Sequence, residues 1–326
     1  ALLSRFKLIG LTALLFSFHT LWAQTGPAGV NTDIKLWLDA SDISTLYQNT
    51  AGTTPVTDEG DPVAMWEDKS GLGQHVTQGT VNRQPLYRSN VSNFNSQPAI
   101  DFDGGDWMSC NLFSNWSGDY TLFIALQSDV PNPVKFESFF SNAAGPGTAG
   151  AFQIHYMDTS NQFTWLTGNG ASLSSHVFAD FQSNDLKLFS VKHDATADSI
   201  FLFSDGQEVA AGAESADAIF SQYRININRQ GNKNHDSKIA EVIIYSRILT
   251  DCELETVNQY LAAKYGRDFI DIGSGYNLGA PHDNDINGLG TDASACAANS
   301  VINEAVCDIA TINNPHCPTI ILWYTH

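Results

Sequence analysis

The stretch Lys238–Gly266, KIAEVIIYSRILTDCELETVNQYLAAKYG, decides how the rest of the chain is read. It holds an apolar, β-branched run, a turn and an amphipathic helix, in that order. Ile239, Val242 and Ile244 suit a buried strand. Thr250 stands three residues before Glu253, the spacing of a capping box in which hydroxyl and carboxylate each satisfy one orphan N–H. Leu254, Val257, Leu261 and Tyr265 recur at helical spacing, and Gly266 stands where a left-handed residue ends a helix. Glu241 stands alone in the strand, and Glu253 is accounted for by the cap.

Upstream of this stretch the chain reads as strands. Ile34, Leu36 and Leu38 alternate with Lys35, Trp37 and Asp39, the period of a half-buried strand. Short apolar runs follow at 63–66, 98–103, 121–127, 136–140, 151–157, 162–166, 186–191, 199–203, 208–210 and 223–228, split by Gly, Asn, Asp and Pro. Asp205-Gly206 is a hairpin turn. With many short strands, frequent turns and no βαβ alternation, the expected fold is all-β: a two-sheet antiparallel sandwich closed by one short C-terminal helix.

Composition sets the surroundings. The chain of 326 residues carries 35 acidic and 16 basic side chains, a net charge of −19. Arg5 and Lys7 followed by the apolar run 8–22 read as a signal peptide over residues 1–23, with a leader at 24–30. Its removal takes away two cations and no acid, moving the net charge to −21. Such acidity argues against nucleic acid, whose backbone needs clustered Lys and Arg. No other segment is long enough to span a bilayer, so the expected mature chain is secreted or cell-surface and has no transmembrane span. The five cysteines form no CxxC pair, and in an exported chain a Cys296–Cys307 bridge is the favoured pairing. Beyond Gly266 the character changes, and residues 267–326 read as a linker and an incomplete second module.

Four phrases carry a resemblance: Leu36-Trp37-Leu38-Asp39-Ala40, the run Trp66–Gly71 (WEDKSG), the run Pro98–Gly104 (PAIDFDG), and Ile244–Thr250 with the helix after it. Together they resemble the laminin-G-like, concanavalin A-like jelly-roll domains of bacterial secreted proteins, over residues 31–266. Residues 283–292 resemble the start of a second domain that follows such jelly rolls. The resemblance implies a module that binds a polysaccharide, a glycoconjugate or a cell-surface component. The same fold also hosts glucanases and lyases, so the fold leaves the function open.

The residues point toward binding. Retaining glucanases of this fold place carboxylates in a Glu-x-Asp-x-x-Glu pattern, and two carboxylates about 5–5.5 Å apart do the work. That pattern is absent. There is no GxSxG elbow and no HExxH. For sugar contact, Trp107, Trp116 and Trp165 are the candidate aromatic platforms, with Asn169 as a hydrogen-bonding neighbour, while Trp37 and Trp66 read as packing residues. For calcium, Asp101, Asp103 and Asp106 share the DFDGGD segment, where glycines let the backbone turn around an ion. A tight turn with Asp side chains bonded to backbone N–H groups is the other reading of those residues. Asp283, Asp285 and Asn287 match the first half of a calcium loop, but Ser294 stands where the bidentate glutamate belongs. The expected role is a non-catalytic binding module, with a spacer lacking any small ligand as the alternative and a hydrolase or lyase third.

Overall fold

A computed structural model of the chain describes residues 26–267, apart from 112–115, 132–133, 135, 143–148, 157–161, 169–172 and 181–182. The signal peptide, the Cys296–Cys307 bridge, nearly all of the second module, and the site residues Asn169, Asp283, Asp285 and Asn287 lie outside the described residues.

In chain order the strands are β1 (Ile34–Asp39), β2 (Leu46–Tyr47), β3 (Met65–Trp66), β4 (Val76–Thr77), β5 (Leu86–Val91), β6 (Gln97–Asp103), β7 (Met108–Cys110), β8 (Tyr120–Ser128) and β9 (Ser138–Ser141). Then come β10 (Phe152–Tyr156), β11 (Gln162–Gly168), β12 (Leu173–Asp180), β13 (Leu186–Asp194), β14 (Ser199–Ser204), β15 (Gln207–Ala213), β16 (Tyr223–Ile225) and β17 (Asp236–Tyr245). The helix α1 covers Asp251–Tyr265. The first sheet runs β15-β14-β13-β8-β17-β6-β5, with β1 also paired to β17. The second runs β12-β11-β10-β9-β16-β7-β4-β3-β2. The result is the expected all-β sandwich of two antiparallel sheets with one helix.

Between the sheets lies one core cluster, in which Trp66, Phe102, Phe140, Phe152, Phe163, Trp165 and Phe189 meet Val242 and Ile244. The other face of the first sheet is also covered. Phe123, Ile243 and Tyr245 join Leu254, Val257, Leu261 and Tyr265 of α1 in a second cluster. A strand buried on both faces needs apolar side chains at successive positions, which is why β17 reads as a run where a half-exposed strand would alternate. The helix begins as the sequence requires: Thr250 Oγ1 accepts from Glu253 N at 3.3 Å, and Glu253 Oε2 accepts from Thr250 N at 3.0 Å. Gly266 ends it at φ 66°.

Glu241 does not stand alone. Its carboxylate is fully buried and accepts from Trp37 Nε1 at 2.8 Å, Tyr260 OH at 3.0 Å, Tyr265 OH at 2.9 Å and Lys264 Nζ at 2.7 Å. Lys264 also reaches Asp39 at 2.7 Å, and Lys69 holds the other oxygen of Asp39 at 3.0 Å. Burial pushes both carboxyls up. At Asp39 the two lysines outweigh it and bring the pKa down to about 2, whereas at Glu241 burial prevails and the pKa stays raised. These partners sit on different elements, so strand periodicity alone could not reveal them.

The WEDKSG phrase is structural as well. Asp68 accepts from Trp37 N at 3.0 Å, Ser70 N at 2.8 Å and Gln74 N at 3.1 Å, which folds the turn after β3 onto β1. Among the described residues no helix is long and apolar enough to cross a membrane.

Candidate functional site

The expected aromatic platforms do not form one surface. Trp165 lies in the core, 0% exposed, stacked on Phe152 with centroids 5.6 Å apart. The cause is strand parity: Phe163 and Trp165 occupy alternate positions of β11 and both point between the sheets. Trp116 is half-buried, and Phe220 covers one face of it at 4.2 Å in a nearly parallel stack. Trp107, also half-buried, precedes β7, whereas Trp116 follows it.

The DFDGGD carboxylates are committed to other partners. Asp101 pairs with Arg88 at 2.7 Å and Lys238 at 3.4 Å. Asp103 accepts from Gly105 N at 2.8 Å, inside a turn that Gly104 permits at φ 80°. Asp106 is buried and accepts from Asp103 N at 3.3 Å. Burial pushes its carboxyl up to about 6, with the Asp103 and Asp101 charges adding to the rise. Each of the three is thus engaged within the protein, and among the described residues no cluster of three His, Cys, Asp or Glu side chains suited to a metal is found. The turn reading describes this segment.

One constellation of catalytic appearance is assembled. His235 Nε2 lies 2.7 Å from Ser128 Oγ, and His235 Nδ1 lies 2.9 Å from Glu137 Oε2. Both Ser128 and His235 are fully buried. Ser128 Oγ also bonds to Val130 O at 3.2 Å, and Asn226 Nδ2 bonds to His235 O at 2.6 Å. The relay ties the excursion after β8 to the start of β17. A nucleophile needs access to a substrate carbon, and this hydroxyl has none.

Polar groups with unused hydrogen-bonding capacity gather on the outer face of the second sheet, most of them buried. Tyr223, Ile225, Phe140, Phe152, Ile154, Phe163 and Trp165 point into the core. Strand alternation then turns Arg224, Ser141, Gln153, His155, Thr164 and Leu166 outward. Register aligns them: Ser109, Arg224, Ser141, Gln153 and Leu166 form one row across β7, β16, β9, β10 and β11. His155 and Thr164 pair in the next. The row is half-buried at Ser109 and Arg224 and buried from Ser141 to Leu166.

The return loop between β16 and β17 lies across this face. Ser141 Oγ donates to Ile227 O at 2.6 Å, Arg229 N donates to Gln153 Oε1 at 3.4 Å, and Arg224 Nη1 donates to Arg229 O at 3.3 Å. Arg229 is 5% exposed, and its Nε and Nη1 have no hydrogen-bond partner. The same holds for Gln153 Nε2 and Thr164 Oγ1. Neither Arg224 nor Arg229 forms an ion pair with any described carboxylate, and burial lowers the pKa of both. At the edge, Phe136 is 36% exposed and its ring stacks on His155 at 5.2 Å. Its φ of 69° is an uncommon conformation for a non-glycine residue, held here beside the face.

The six residues Arg224, Arg229, Gln153, His155, Thr164 and Phe136 make the candidate site, and Trp107, Trp116 and Trp165 are not among them. No sequence motif marks any of the six. The signal the sequence lacked was the register that sets β10 and β16 on either side of β9, together with the loop that brings Arg229 over Gln153.

No family model matches the chain, and no curated protein matches its sequence. Solved structures share its fold. The binding domain of Paraclostridial Mosquitocidal Protein 1 aligns with a TM-score of 0.51 and 13% identity, over 72% of this chain and 55% of that one. An arabinofuranosidase complexed with arabinofuranosyl-alpha-1,2-xylobiose aligns at 0.50 and 13%, over 63% and 51%. The ligand binding domain of Botulinum neurotoxin serotype D, in complex with N-acetylneuraminic acid, aligns at 0.50 and 13%, over 74% and 55%. The aligned part spans about half of each of these chains.

Proposed function

We propose that this chain is a saccharide-binding module whose binding surface is the outer face of the second sheet. The observation that carries the reading is the set of buried, unpartnered polar groups on Arg229, Gln153 and Thr164, bordered by the exposed ring of Phe136. A buried polar group left unmatched costs about 1–3 kcal/mol. Three of them at one place on a sheet face, beside an aromatic ring, fit a ligand with many oxygens and an apolar ring face. A sugar has both. The arabinofuranosidase and the botulinum domain are each described with a bound saccharide, so the two-sheet fold is compatible with this role. On the reading of residues 1–23 as a signal peptide, the module works outside the cell, on a polysaccharide or a surface glycoconjugate.

The reading excludes the buried Ser128–His235–Glu137 relay as a working site and leaves the chain non-catalytic. A glycan array probed with the full-length protein tests it. Binding to at least one saccharide, reduced at least tenfold in Phe136→Ala and Gln153→Ala, supports the proposal. A blank array overturns it and favours a spacer.

A further inference from the structure

In a chain of net charge −19, Arg229 is a buried cation with no described carboxylate beside it, and its neighbour Arg224 has none either. Most other cations of the described fold are claimed by carboxylates: Lys69 by Asp39 and Asp42, Arg88 by Asp101, Lys187 by Asp205, Lys238 by Asp129, Arg247 by Glu253, and Lys264 by Glu241. Lys35, Arg83 and Lys233 also lack a described carboxylate but are half-buried or exposed, where water solvates the charge. Acids outnumber bases about two to one, so a guanidinium without a partner is not explained by a shortage of carboxylates. Arg229 is also nearly hidden from water, with Nε and Nη1 unbonded. Leaving a buried charge unpaired is among the costlier arrangements in a folded protein, and such charges are paired or hold a ligand.

The hydrogen-bonding sense of the site narrows the ligand. A guanidinium only donates. Gln153 already uses its carbonyl oxygen to accept from Arg229 N, so its remaining function is the Nε2 donor. Thr164 adds a hydroxyl. The site therefore offers donors and positive charge and has little left with which to accept. A neutral sugar hydroxyl both donates and accepts and would satisfy such a set only in part. A carboxylate only accepts, carries the matching charge, and makes charge-assisted bonds roughly twice as strong as neutral ones.

Resting on the saccharide-binding reading above, we infer that the ligand is an acidic saccharide, with the carboxylate of a uronic or nonulosonic residue seated on Arg229 and Gln153. Arg224 lies at the half-buried, open end of the same row and faces the next acidic residue of the chain. Phe136 takes the sugar ring. The rest of the molecule is strongly acidic, so a polyanion approaching elsewhere is repelled and approaching this face is drawn in.

The test pairs each acidic polysaccharide with its own methyl ester, which keeps the backbone and removes the charge. Polygalacturonate, alginate, hyaluronan and a polysialic acid are titrated into the full-length protein by calorimetry, beside their esters and a sulfated carrageenan. The expected result is binding to at least one free acid, weakened at least tenfold by esterification and again at least tenfold by Arg229→Gln. Gln153→Leu serves as the second variant, with the same expected loss. Because Arg229 is unpaired in the ligand-free fold, Arg229→Gln does not lower the thermal midpoint, a readout that a structural arginine would move downward. Equal binding to acid and ester overturns the inference and leaves the saccharide-binding reading standing. Binding to carrageenan alone overturns the carboxylate assignment. Retained binding in Arg229→Gln overturns the site. No binding to any saccharide, neutral or acidic, overturns both readings.

Discussion

Lys264 shows how one side chain joins three elements. It sits on α1, contacts Glu241 of β17 and Asp39 of β1, and carries the only positive charge in direct contact with Glu241 among the described residues. Replacing it by methionine leaves two acids facing each other in the interior. Removing one partner of a buried pair costs about 3–5 kcal/mol. We expect Lys264→Met to lower stability by that order in urea unfolding, and a loss below about 1 kcal/mol would show the network to be solvated. The same cluster sets a pH response. Asp39 is held at about 2 against an ordinary value of 3.8, so its contribution is complete above about pH 4 and is lost as pH falls toward 2. A shift of that size corresponds to about 2 kcal/mol. Glu241, held above its usual range by burial, runs the other way: its contribution is present at low pH and is lost as pH rises through its raised value. Asp39→Asn should therefore flatten the acid limb between pH 4 and 2 and, by removing a charge that helps to raise Glu241, also reduce the Glu241 component. An unchanged limb would contradict the assignment.

At the scale of elements, the helix and its strand are legible and two edge strands, one in each sheet, are less so. The capping box between Thr250 and Glu253 forms as its spacing requires, and Thr250→Ala should cost about 1 kcal/mol in chemical unfolding. β12, LSSHVFAD, is a strand of eight residues that the sequence hides, because its serines and histidine lack a strong apolar period. It is an edge strand held by pairing with β11, so its own side chains need not announce it. β5, LYRSNV, is obscured in the same way and is also an edge. The DFDGGD loop reads two ways in sequence, as a calcium loop or a tight turn, and in the described structure Asp101 pairs with Arg88 and Lys238. With those partners in place, the thermal midpoint of the described domain should not move on addition of EDTA. A fall that calcium reverses would show that the loop rearranges around an ion.

For the whole molecule, the sandwich is readable because it rests on periodicity and turn chemistry, which are local. The candidate site is not, because Gln153, Arg224 and Arg229 lie on separate segments and meet only through sheet register and a folded-back loop. Trp165 illustrates the difference: its sequence surroundings suit a platform, but the parity of β11 sends it inward. The stretch that identifies the fold, β17 with α1, covers one sheet from outside, and the proposed site lies on the outer face of the other. The central claim is that this outer face holds an acidic saccharide through Arg229. The most direct measurement follows the arginine Nε–H resonances of the full-length protein by NMR while the acidic oligosaccharide that binds is titrated in. The account predicts that the Arg229 Nε–H signal shifts and gains protection from exchange, with a smaller shift at Arg224. Saturation of binding with both signals unmoved would contradict it.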